Sequence, residues 1–167
     1  MLALAVAGAL ELDLGQAVAS LADVHVPSGR GEVIEAGRLT VVHDAYNANP
    51  ASLVAALETV AAMRGAAGRP LVVVVGSMLE LGPDAAARHA EAAEAVIAAK
   101  PDLIAATGDF VAPLKRHKEL GDRLITAADA EELGKKLAPR IKGNELVLLK
   151  ASRGVRLERV LPYLLST

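Results

Sequence analysis

Seven consecutive residues, Asp44-Ala45-Tyr46-Asn47-Ala48-Asn49-Pro50, gather a carboxylate, a phenol and two carboxamides in one turn. A carboxylate can accept hydrogen bonds from two neighbouring hydroxyls, such as those of a ribose, and two carboxamides supply donors and acceptors without adding charge. Asn49 also suits a helix N-cap, and Pro50 suits the first helical position, where its missing N–H would be unpaired anyway. Asn-Pro is a common way to start a helix, and an Asp at a strand end needs no ligand. An Asp, a Tyr and two Asn between positions 44 and 49 nevertheless exceed what a cap requires.

Two further clusters could join this stretch. Lys150-Ala151-Ser152-Arg153 places two cations and a hydroxyl where a helix is expected to begin, an arrangement that favours an anion. A capped helix with solvated charges accounts for the same residues. Arg30 stands in the turn Pro27–Gly31, from which a guanidinium could reach a phosphate or ribose near Asp44, although a loop Arg is more often simply solvated. Glu80 and His89 are the noteworthy polar residues of the segment that follows, and a helical His is usually a surface or internally satisfied residue.

Several kinds of chemistry are excluded or disfavoured. The chain has no Cys, so disulfides and thiolate metal sites are impossible, which fits a cytoplasmic protein. The four His show no paired ligand spacing, so no metal site is expected. Net charge is −2 and aromatics are 2%, which argues against a polyanion partner and a base-stacking nucleic-acid surface. The apolar stretch Met1–Leu10 is too short to span a membrane and lacks the basic start of a signal peptide. No GxxxxGK[ST] loop and no GxGxxG after a strand occur.

The elements that must position these residues follow from periodicity and punctuation. Residues 1–22 read as helical with a break near Asp13–Gly15, and their apolar surface is large for a first helix. They are expected to close a preceding domain, although an ordinary N-terminal helix reads similarly. Glu32–Ala36 and Leu39–His43 read as a hairpin, and Pro50–Arg64 as a helix that stops at Gly65. Leu71–Val75 is an uninterrupted apolar run, the mark of a strand covered on both faces. Helix 83–99, strand 102–106, helix 110–120, strand 123–126, helix 127–138 with Thr126 as cap, strand 145–149 and helix 154–165 complete the chain.

That alternation predicts an α/β, Rossmann-like fold of three α/β/α layers: a mostly parallel, doubly wound sheet with an antiparallel N-terminal hairpin edge. The turns at 44–50, 76–82, 107–109 and 150–154 should then share one edge of the sheet, where ligands of such folds bind.

At Asp44–Pro50 the chain resembles the Mur ligase superfamily, and within it the UDP-N-acetylmuramoyl-tripeptide–D-alanyl-D-alanine ligases, whose signature is Tyr-Asn-Ala-Asn-Pro. The likeness continues in order through Gly29-Arg30 with Glu32, Met78-Leu79-Glu80-Leu81-Gly82 with His89, and Lys150-Ala151-Ser152-Arg153. The resemblance assigns residues 27–167 to the C-terminal domain, and 1–26 to the tail helices of a central ATPase domain plus linker. It implies an ATP-dependent ligase of peptidoglycan precursor synthesis. ATP phosphorylates the tripeptide's terminal carboxylate, the amine of D-Ala-D-Ala attacks the acyl phosphate, and phosphate leaves.

The resemblance implies that Arg30, Asp44 and Asn47 contact ATP, and that Asn49, Lys150, Ser152 and Arg153 face D-Ala-D-Ala. It implies ATP and Mg2+ as cofactors of the whole enzyme, held mainly by domains this sequence lacks, with no metal ligand and no assured catalytic residue here. The partners implied are ATP, the dipeptide, the UDP-muramoyl-tripeptide and the protein's own N-terminal and central domains. The isolated chain is expected to be inactive. Three departures stand out: Ser77 where an Asp is usual, Ala151 where a Gly is usual, and His43 where an acidic residue is common. Another amide ligase of the superfamily, of the folylpolyglutamate or cyanophycin type, and a non-catalytic Rossmann-like binding module are the alternatives. An exposed N-terminal apolar helix would favour a severed domain over a complete module.

Overall fold

The computed structural model describes residues 2–22, 27–65 and 68–166, so residues 23–26 of the expected linker lie outside the described residues. Two short helices come first, α1 (Leu2–Ala9) and α2 (Leu14–Ala22). The hairpin follows as β1 (Glu32–Ala36) and β2 (Leu39–Asp44), with Gly37 at φ 62° in its turn. Only a residue without a Cβ adopts that angle at little cost. Then come α3 (Pro50–Arg64), β3 (Leu71–Val75), α4 (Ala85–Ala98), β4 (Leu103–Thr107), α5 (Val111–Lys115), β5 (Leu124–Ala127), α6 (Ala130–Leu137), β6 (Leu146–Lys150) and α7 (Leu161–Leu165).

The six strands form one sheet in the order β1-β2-β6-β3-β4-β5. Only the β1–β2 pair is antiparallel, and the other four pairings are parallel. The last strand is thus inserted between the second and third, where its neighbours cover both its edges. The apolar run of β3 is explained by its burial on two sides. Val73 and Val75 pack with α3 and α4 residues such as Leu53 and Val96, whereas Val72 and Val74 pack with α6 residues such as Leu133 and Leu137. In β6, Leu146 and Leu148 face the first cluster and Val147 and Leu149 the second. A side-chain period of two, with helices on both faces, requires an apolar residue at every position.

Several expected boundaries move. The helix expected from Ala127 begins at Ala130, and its cap is Asp129 rather than Thr126, because the Asp129 carboxylate accepts the Glu132 N–H. β6 begins at Leu146, not Glu145, because the Glu145 carboxylate accepts the N–H groups of Lys142, Gly143 and Asn144 and rounds off the turn before the strand. The helix expected over 110–120 closes at Lys115, and residues 118–123 form a 3₁₀ segment. The helix expected from 154 is broken: Arg153–Val155 is one 3₁₀ turn, Arg156 sits at φ 56°, and a second 3₁₀ turn precedes α7.

Candidate functional site

Because β2, β3, β4 and β6 are parallel, their carboxyl ends lie on one edge, and the loops 45–49, 76–81, 108–110 and 151–154 meet there. The innermost contact is a consequence of strand register. Asp44 and Lys150 are paired positions of β2 and β6, and Lys150 Nζ donates to Asp44 Oδ2 at 2.6 Å. The same ammonium donates to the Asn47 carbonyl at 2.8 Å. Lys150 is 3% exposed, whereas the Asp44 side chain is 25% exposed. Lys150, expected at the dipeptide end, therefore lies beneath the Asp44–Asn49 loop and holds it down. Asp44 keeps part of its carboxylate open to solvent.

Tyr46 is the hub of the loop. Its N–H donates to the Gly29 carbonyl at 2.9 Å, which ties it to the turn before β1. The Arg30 guanidinium carbon lies 3.8 Å from its ring centroid and that of Arg153 lies 5.3 Å away. The arrangement is a double cation–π contact. The neighbouring guanidinium of Arg30, and secondarily that of Arg153, hold the Tyr46 phenol below its usual pKa. Tyr46 thus brings together Arg30 and Arg153, which stand far apart in the sequence. No role was expected for Tyr46 itself. The available signal was an aromatic in an exposed polar turn of a chain with one Phe, two Tyr and no Trp.

Asn49 is a cap, as its position before Pro50 suggested. Its Oδ1 accepts the Ser52 N–H at 2.8 Å, and the Ser52 hydroxyl accepts the Asn49 N–H at 3.0 Å. One side-chain oxygen is thereby occupied. Ser152 joins three loops: its N–H donates to the Ser77 carbonyl, its Oγ accepts the Leu79 N–H at 2.9 Å, and its hydroxyl faces the Ala48 carbonyl at 3.5 Å. It is buried, as is Ala151, and the short 3₁₀ turn after it gives no helix terminus of the kind expected for an anion.

The three departures each have a local account. Ser77 Oγ accepts the Asp109 N–H at 2.9 Å, so the hydroxyl joins the β3 and β4 loops. Ala151 is absent from the described residues with positive φ, so this position does not need a glycine. His43 is buried, with Nδ1 3.3 Å from Glu32 Oε2. Glu32 also accepts the Ser28 hydroxyl at 2.6 Å and the Gly29 N–H at 3.3 Å. These donors, the Ser28 hydroxyl foremost, hold its carboxyl below the usual range. His89 is buried and satisfied: Nε2 accepts the Met78 N–H at 2.9 Å and Nδ1 lies 2.7 Å from the Ala85 carbonyl, which places the ring hydrogen on Nδ1.

Two cavities flank the Tyr46–Arg153 pair. One, of about 210 Å3, is lined by Ser28, Gly29, His43 and Glu158 besides the pair. The other, of about 240 Å3, is lined by Asn47, Leu79, Glu80 and Ser152 besides the pair, with Gly154 at its rim. Asn47 and Ser152 therefore share one cavity with Arg153, while Arg30 and Asp44 line neither. Among the described residues no three His, Asp or Glu side chains converge on a point that would hold a metal ion. No helix among them is long and apolar enough to cross a membrane.

Comparison with known proteins sets this geometry in context. Residues 29–153 match the family described as Mur ligase, glutamate ligase domain. The chain is similar to the UDP-N-acetylmuramoyl-tripeptide–D-alanyl-D-alanine ligase of Rickettsia prowazekii, 31% identical over 146 residues that make up 86% of this chain and 31% of that protein. The enzyme of the same name from Treponema pallidum is 34% identical over 144 residues, 84% of this chain and 30% of that protein. Among solved structures, the MurF ligase of Thermotoga maritima in complex with ADP matches with a TM-score of 0.72 and 29% identity, covering 98% of this chain and 36% of that one. A MurF structure from Acinetobacter baumannii matches with a TM-score of 0.82 and 25% identity, covering 96% of this chain and 35% of that one. The chain thus spans about a third of the length of the curated relatives it matches.

Proposed function

We propose, from the premise that this chain belongs to the Mur ligase family through its glutamate ligase domain, that it serves as the C-terminal, ligand-closing domain of an ATP-dependent D-alanyl-D-alanine-adding ligase. Residues 27–167 would form that domain, and residues 1–26 the end of the domain before it. The double stack of Arg30 and Arg153 on Tyr46 carries the reading, because one ring joins two anion receivers two residues after Asp44.

In this reading Asp44 presents its open oxygen to the ribose hydroxyls of ATP and Arg30 meets the nucleotide from the side of the hairpin. Asn47, Ser152 and Arg153 share the cavity that receives the dipeptide, with Arg153 on its carboxylate. Asn49 and Lys150 support the loop on which Tyr46 and Asn47 ride, so their contribution to binding is through position. The chemistry of ATP and Mg2+, which activates a carboxyl for attack by an amine, needs a phosphate-binding loop and metal ligands from other domains, and the work is cytoplasmic. The chain alone binds and orients.

The test is a titration of the 167-residue chain with ATP and, separately, with D-Ala-D-Ala, followed through backbone amide shifts. Shifts at 29–30 and 44–46 with ATP, and at 47–48 and 152–153 with the dipeptide, are expected. A chain whose amides respond to neither ligand would leave the fold as a bare structural module and overturn the assignment. Turnover by the isolated chain with ATP, UDP-muramoyl-tripeptide and dipeptide would overturn the division of labour.

A further inference from the structure

Glu80 adopts φ 65°, in the left-handed region that residues with a Cβ rarely occupy. It is exposed, and its carboxylate has no hydrogen bond or ion pair among the described residues. Strain of this kind persists only where the surroundings over-determine the backbone. Here they do. The Met78 N–H is fixed by His89 Nε2, the Leu79 N–H by Ser152 Oγ, and the Leu79 side chain packs so closely on Gly154 that a Cβ there would lie 2.8 Å from Leu79 Cδ1. The result is an exposed acidic residue fixed among those that line the cavity of about 240 Å3, together with Arg153.

A cavity lined by one basic and one acidic residue, and also by the neutral polar residues Asn47 and Ser152, matches a small zwitterion. We infer that Glu80 is the receiver of the acceptor's α-ammonium group, opposite Arg153 at its carboxylate, and so selects an acceptor with a free amino end. This rests on the reading of a dipeptide acceptor above, and it adds a residue to which that reading gave no role. Glu80 acts as a specificity residue: it fixes the orientation of the amine, which must face the activated carboxyl when the domains close.

The experiment titrates the chain and its Glu80→Gln and Glu80→Gly variants with four probes: D-Ala-D-Ala, N-acetyl-D-Ala-D-Ala, which lacks the ammonium, D-alaninamide, which lacks the carboxylate, and acetate. Amide shifts at 79–81 and 152–154 report the cavity, and the His89-to-Met78 contact reports that the loop has kept its fold. The expected result is that both variants bind the free dipeptide at least about tenfold more weakly, the size of one charge-assisted hydrogen bond. They should bind the acetylated dipeptide as the parent does. Glu80→Gly should also raise the thermal midpoint while it weakens binding, a pair of opposite changes that a merely structural role would not give. Equal binding of free and acetylated dipeptide by the parent chain would overturn the inference and leave the acceptor reading standing. Shifts at 79–81 with D-alaninamide but not with the dipeptide would support Glu80 as an ammonium receiver and overturn the acceptor reading. Silence at 79–81 with both ammonium probes would overturn the inference.

Discussion

Lys150 shows how one residue can serve a site without touching its ligand. Its ammonium sits under the polar loop and makes two bonds, one to Asp44 and one to the Asn47 carbonyl. Replacement by Met would leave a carboxylate and a carbonyl facing an apolar chain. The expected cost is about 3 kcal/mol, the low end for a broken buried pair because Asp44 is part-solvated. Urea unfolding would read it. Adding Asp44→Asn to Lys150→Met should recover part of that loss, and strictly additive losses would deny the pair any coupling. Glu32, next door, contributes to the acid limb of stability. Its folded pKa is depressed, mainly by the Ser28 hydroxyl, so its stabilisation is present above the unfolded carboxylate pKa of about 4.3 and is lost as pH falls through the lower folded value. The urea midpoint of the parent chain should therefore drop more steeply between about pH 5 and pH 3 than that of Glu32→Gln. Parallel curves would remove Glu32 from the acid response. At this scale the sequence showed which side chains were chemical but not which were occupied. Asp44 at a strand tip and Asn49 before Pro50 are legible because their neighbours in sequence define them. The fate of Lys150 is decided by the insertion of β6 beside β2, a pairing across more than a hundred residues that no local pattern announces.

The loops that carry the site are fixed by close approach, and that makes them sensitive to single atoms. A Cβ on Gly76 would lie 2.7 Å from Val155 Cγ1 and 3.1 Å from Ala151 Cβ. Gly76→Ala should cost about 1–3 kcal/mol, as overpacking of a tight contact does, with a matching fall in the thermal midpoint. A neutral result would mean that the 153–155 turn yields easily. Glu80→Gly moves the other way: relief of the left-handed backbone should stabilise the chain by up to about 1 kcal/mol, reduced by the extra freedom glycine has when unfolded. The elements themselves were readable where a pattern was long. β3 and its covering helices follow from five consecutive apolar residues, and the hairpin from two runs about Gly37. The misplaced ends share one cause. Asp129 displaces Thr126 as a cap, Glu145 closes a turn instead of opening a strand, and Arg156 breaks a helix in a left-handed conformation, and in each a polar side chain or an unusual φ competes with the apolar period. Periodicity reports which face of an element is buried, whereas such competition is settled by hydrogen bonds within two or three residues.

Across the molecule the apolar surface is distributed in two ways. The sheet and its five covering helices bury their large apolar side chains in two clusters, one on each face. The α1–α2 pair does not: Val6, Leu10, Leu12, Leu14, Val18 and Leu21 are all at least 41% exposed. Each such side chain, fully buried, is worth roughly 1.5–3 kcal/mol, so a surface of this kind is a strong call for a partner. This is the outcome the sequence associates with a severed domain rather than a complete module, and it fits a chain that spans about a third of its relatives. Under the proposed division at residue 27, the partner would be the remainder of the domain that residues 1–26 close. The consequence concerns stability and association together. Deleting residues 1–26 removes the exposed apolar side chains of α1 and α2, none of whose described residues joins either core cluster. The shortened chain should keep a single cooperative unfolding transition with a midpoint close to the parent's, and should self-associate less and bind less of a hydrophobic dye than the parent. Calorimetry and sedimentation read the two effects separately. A shortened chain that unfolds without cooperativity would show instead that α1 and α2 are part of this domain's own structure, and the boundary at residue 27 would fall with them.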